Sequence, residues 1–153
     1  MTLENLLRIG KLKAHAADER EIARLLESAE RALQDASVVA LSTDSRLDIA
    51  YRGLMQAALA AMLANGYRPA TSEPGHHQVV IQALPKTIGM ATERVQVLEA
   101  YRKARNQSDY RGVPVSDAVA RECAGEARRL LAEVRAWIAA RESPESTPPA
   151  NGD

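Results

Sequence analysis

Phenylalanine is absent from this sequence, tryptophan occurs once as Trp137, and the only other aromatics are four tyrosines. So few large flat side chains and so many alanines and leucines argue against a sheet core, which draws on β-branched and aromatic residues. They favour closely packed helices. The one cysteine, Cys123, permits no intramolecular disulfide and suits a reducing cytosol. On a helical stripe it reads as a small core hydrophobe. Formal net charge is zero, so no global field draws the protein to nucleic acid or an anionic membrane; any such contact must be local. No apolar run is long enough to span a bilayer, and Met1-Thr2-Leu3-Glu4 places an acid too early for a signal peptide. The expected location is cytoplasmic. Three histidines, two of them adjacent, give no metal-ligand spacing. No cofactor is implied.

What is present is a set of amphipathic segments. The 153 residues suffice for one domain with a single core. A short accessory helix is expected from Leu3 to His15. Asp18, completed by Glu21 as a capping box, opens a helix to about Val39 with Ile22, Leu25, Leu26, Ala29 and Leu33 inward. Ser42 or Thr43 caps the next, which ends at Asn65-Gly66; its Gly53 and alanines imply a closely approaching neighbour. Ser72 caps a second short helix carrying His76 and His77, which Pro85 ends or kinks. Thr92 caps a third long helix and Ser116 a fourth, the latter to about Arg141. The expectation is an all-α, up-down four-helix bundle with two short accessory helices over residues 1–142, and a disordered proline-rich tail over 143–153.

One cluster stands out. The inward stripe Val95, Leu98, Tyr101 arrives next at Arg105, whose charge needs a partner. Asn106, Asp109 and Tyr110 follow, with Arg102 a turn earlier. In an up-down bundle the helix from Thr43 runs antiparallel to this one. Asp44, Asp48 and Tyr51 in its first two turns then lie level with Arg105, Asn106 and Tyr110. A structural ion pair with a helix cap explains the cluster, as does a polar functional groove. The acids themselves also suit the positive end of a helix dipole.

Arg105-Asn106 with Tyr110 downstream resembles the Arg-x4–6-His region of HEPN (higher eukaryotes and prokaryotes nucleotide-binding) domains. The likeness extends to Asp44-Ser45-Arg46-Leu47-Asp48-Ile49-Ala50-Tyr51, Asn65-Gly66-Tyr67-Arg68 and Gly75-His76-His77-Gln78. The resemblance implies a homodimer whose motif residues meet at a cleft that cleaves RNA, often as the toxin of a toxin–antitoxin pair. Here Tyr110 stands where the family has histidine. Tyrosine, with an ordinary pKa near 10, supplies little base at neutral pH. Three functions follow as expectations. The first is a dimeric HEPN-like module, with little or no cleavage, that binds a minimal nucleotidyltransferase antitoxin, a nucleotide or RNA. The second is a metal-independent endoribonuclease, in which Arg105 and Asn106 serve the phosphate and His76 or His77 replaces the missing histidine. The third is a helical scaffold.

Overall fold

Alanine and leucine place the helices close together, and one helix takes the middle. The computed structural model describes residues 2–72 and 75–142; the expected disordered tail lies outside the described residues. The fold is mostly helical, with a two-stranded sheet of three residues a side. Among the described residues no helix is long and apolar enough to cross a membrane.

The chain opens with α1 (Leu3–Arg8), capped by Thr2, whose hydroxyl accepts the Asn5 N–H at 3.1 Å. The helix expected as far as His15 stops much earlier. Gly10 takes a positive φ of 80°, and the chain turns into β1 (Leu12–Ala14), antiparallel to β2 (Tyr67–Pro69) with Leu12 opposite Pro69 and Ala14 opposite Tyr67. Lys11-Leu12-Lys13 has the two-residue alternation of a strand, and Leu12 is fully buried between exposed or half-exposed lysines.

Helix α2 (Glu19–Ala36) starts at Asp18, whose carboxylate accepts the Arg20 N–H at 2.9 Å and the Glu21 N–H at 3.4 Å. Glu21 does not close a capping box with Asp18; its carboxylate meets His15 Nε2 at 2.9 Å. The helix ends three residues before Val39, leaving that side chain 83% exposed.

Helix α3 (Thr43–Ala64) is buried on almost every side. Ser42 is its cap, accepting the Ser45 N–H, and Asn65-Gly66 closes it. A Cβ on Gly53 would lie 3.2 Å from the Leu33 side chain and 3.3 Å from the Ala29 carbonyl oxygen, so the absence of a side chain lets α2 approach. Against other parts of α3 lies α7 (Asp117–Glu142), through Ala120, Cys123, Ala124, Ala127, Leu130 and Val134. Ser116 accepts the Val119 N–H at its start. Helices α2 and α7 thus clasp α3, and touch each other less.

The short helical segment is two helices, α4 (His76–Gln82) and α5 (Leu84–Thr87), meeting at Ala83. Pro85 falls in the first turn of α5, where its missing N–H costs no helical bond. The residue leading into α4 is Gly75, at φ 78° and with no side-chain cap, rather than Ser72. Helix α6 (Thr92–Arg111) is likewise entered from Ala91, not capped by Thr92. It buries only Val95, Leu98 and Tyr101. An ion pair from Arg94 to Glu133 at 2.6 Å ties it to α7. The polar run from Arg105 to Tyr110 falls in the last two turns of this helix, as the sequence pattern implies, and Gly112 at φ 65° closes it.

Candidate functional site

Packing α6 against α3 brings residues 57 positions apart into contact. Arg105 Nε donates to Asp48 Oδ1 at 2.9 Å and lies 3.1 Å from Asp109 Oδ2, one turn further along α6. The guanidinium carbon sits 5.3 Å from the centre of the Tyr51 ring, within cation–π reach. Both acids engage Nε. Among the described residues the two terminal nitrogens of Arg105 have no hydrogen-bonding partner, and these are the fork that grips a carboxylate or phosphate in two places.

Arg105, Asp48 and Tyr51 line a groove of about 480 Å³ running over α3. Its polar rim is Arg105, Asp48, Arg52, His76 and His77; its floor includes Ile49, Met55, Leu59 and Val80. The two histidine rings meet edge to face, 4.5 Å between centres. Among the described residues no group of three or more His, Cys, Asp and Glu is placed to hold a metal ion.

The electrostatics separate the candidates for proton transfer. Burial works against the charge on Arg105, but its hydrogen bond to Asp48 and the charges of Asp109 and Asp48 outweigh that, so its pKa stands above the ordinary value. It is a permanent cation. Burial pushes the Tyr51 phenol up to about 12 despite the opposing pull of Arg105 and Arg102, and its hydroxyl has no hydrogen-bond partner among the described residues. Tyr51 is therefore a neutral platform, not a base. His77 goes the other way: desolvation first, then the neighbouring His76 and Arg105, hold its pKa below the ordinary imidazole range. At neutral pH it is an uncharged imidazole with a free lone pair to offer. Burial likewise lifts the Cys123 thiol to about 12, which leaves it inert.

The remaining candidates lie elsewhere. Asp44 accepts the Val115 N–H at 3.1 Å, while Thr43 donates to the Val115 carbonyl at 2.7 Å; together they pin the α6–α7 connection to the start of α3. Arg102 pairs with Glu99 at 2.9 Å on its own helix. Asn106 is half-buried and makes no side-chain hydrogen bond among the described residues. Tyr110 is 83% exposed and does not line the groove.

Two groove residues, Arg52 and Gln56, are additions to the sequence-based set. The signal for them is present: Asp48, Arg52 and Gln56 recur every fourth residue and so form one polar edge of α3. The buried stripe through Leu47, Tyr51 and Leu54 masks it. No protein-family model matches the chain, and no characterised protein is significantly similar to it.

Proposed function

We propose that this is a HEPN-like module, its four long helices forming an up-down bundle, that dimerises and binds a nucleotide or single-stranded RNA at the Arg105 groove. A minimal nucleotidyltransferase antitoxin is the partner protein that the resemblance suggests. One observation carries the reading: Arg105 is held at Nε by two carboxylates while its terminal nitrogens stay unpaired in a groove beside two imidazoles. A guanidinium needed only for an ion pair would more economically give its fork to Asp48. The apolar floor suits a base and the rim a phosphate. The test is equilibrium binding of labelled single-stranded RNA to wild type and Arg105→Ala. Salt-dependent binding that the substitution abolishes supports the proposal. Equal binding by both proteins refutes it.

A second reading, cleavage, draws support from His76 and His77 lining the same groove, which Tyr110 does not. Neutral His77 would take the proton of a 2′-hydroxyl as that oxygen attacks the adjacent phosphorus, with Arg105 stabilising the phosphorane charge; the bond from phosphorus to the 5′-oxygen then breaks, leaving a 2′,3′-cyclic phosphate, and the protonated imidazole returns the proton to the departing 5′-oxygen. Loss of RNA cutting on His77→Ala, with binding retained, identifies this mechanism. Intact RNA after prolonged incubation with wild type leaves binding as the function.

A further inference from the structure

The Arg105 groove does not end where its phosphate-binding rim ends. Gln56, Leu59, Pro69 and Thr71 also line a second depression of about 440 Å³, bounded by α2, α3 and β2. The two therefore join across α3. Along that helix the joined groove runs from Asp48 to Leu63, roughly 22 Å at the helical rise per residue. Its far end carries Arg24, Arg68 and His15.

Charge is concentrated here in a protein that has none overall. Among the described residues, four arginines (Arg24, Arg52, Arg68 and Arg105) line the joined groove against two carboxylates, Asp48 and Glu21. Among those residues the balance stays positive even with Asp109 counted. Arg24, Arg52 and Arg68 are exposed and have no carboxylate partner among the described residues. All three histidines of the chain, His15, His76 and His77, also face this one groove. At its midpoint Gln56 keeps a buried side-chain oxygen with no hydrogen-bond donor. Among the described residues no donor meets that oxygen, so turning it toward the groove forfeits no hydrogen bond at the oxygen.

We infer that the joined groove binds an extended single strand of nucleic acid, with one phosphate at Arg105 and Arg52 and another at Arg24 and Arg68. This extends the reading of the Arg105 groove given above and rests on it. Cations at both ends match a repeating anion. Ile49, Met55 and Leu59 between them give unstacked bases an apolar floor, with the imidazoles as stacking faces. A duplex would hide those base faces.

The experiment is fluorescence anisotropy with a labelled hexaribonucleotide and a dinucleotide, on wild type, Arg105→Ala and the double variant Arg24→Ala/Arg68→Ala. Arg24 and Arg68 are exposed, so circular dichroism should report an unchanged fold. The hexanucleotide should bind more tightly than the dinucleotide, and the double variant should remove most of that advantage, about tenfold at low salt. The slope of log affinity against log salt should fall by about 0.7, the value for one lost single-strand phosphate contact. If the double variant binds the hexanucleotide as wild type does while Arg105→Ala weakens it, the extension is wrong and the Arg105 groove stands alone. If Arg105→Ala is also without effect, the underlying reading falls with it. Equal competition by an oligoglutamate of matched charge would overturn the assignment to nucleic acid.

Discussion

Replacing Arg105 by alanine separates a structural ion pair from a binding site, because the two roles predict different sizes of effect. The side chains of Arg105 and Asp48 are 30% and 49% exposed. At that exposure solvent screens the pair, and its coupling should be about 0.5–1 kcal/mol. The contact with Tyr51 adds about 0.5–1 kcal/mol. Arg105→Ala should therefore cost about 1–2 kcal/mol in urea unfolding, not the several expected of a buried pair, which leaves a stranded charge behind. The Arg105→Ala/Asp48→Ala double variant should recover the coupling and no more. RNA affinity should respond quite differently, falling at least tenfold in Arg105→Ala and changing little or even rising in Asp48→Ala, which frees the guanidinium. A stability loss above about 4 kcal/mol with RNA affinity unchanged would show that Arg105 serves the fold, and the argument from its unpaired fork would be wrong.

Leu54→Ala, at a fully buried position of α3, should lower stability by about 2–5 kcal/mol in the same assay. Gly53→Val should destabilise by about 1–3 kcal/mol through overpacking against Leu33 and the Ala29 carbonyl; unchanged melting would mean that α2 moves away freely. His77 has a folded pKa below its unfolded value, so its contribution is present above about 6.5 and lost as pH falls through the folded pKa. His77→Gln should accordingly flatten the acid side of a melting-temperature profile. Tyr110, 83% exposed, should tolerate alanine without change in melting, yet weaken the homodimer in light scattering at micromolar concentration if the motif lies at the two-fold axis.

The helical character and most helix starts were legible because local chemistry decides them. Asp18 and Ser42 satisfy backbone donors within their own first turns, and periodicity marks the buried faces of α2 and α3. The strands were not legible. Three residues carry too little alternation to outweigh the helical pattern of Leu6, Leu7 and Ile9, and what fixes β1 is its pairing with β2, more than fifty residues away. Glu21 escaped for a related reason: Asp18 and Glu21 have capping-box spacing, but folding brings His15 within 2.9 Å of the carboxylate, a competitor the local pattern does not contain.

The same division runs through the site. Asp48, Tyr51 and Arg105 could be brought together on paper because antiparallel packing makes the start of α3 level with the end of α6. That argument fixes height along the bundle but not rotation about each helix axis, and rotation decides which neighbours face the groove. Asp44, one turn before Asp48, shares its height and its charge, yet its carboxylate is spent on the Val115 N–H, because the α6–α7 connection passes there. Tyr110 is one turn beyond Asn106, on the same helix as Arg105, but on a face that α3 does not cover. His76 and His77 had no fixed height at all, since two short helices with a break at Ala83 carry them. Tertiary packing placed His77 within the field of Arg105. A substitution that rotates α4 without unfolding it, such as a change at the buried Val80 or Ile81, should therefore disturb the imidazoles before it disturbs the Arg105–Asp48 pair. The His77 titration followed by NMR would shift toward the ordinary imidazole value while the RNA-independent stability contributed by that pair stays in place. A titration unmoved by such a change would mean that the neighbourhood of His77 is set by α4 alone and not by its packing against α3 and α6.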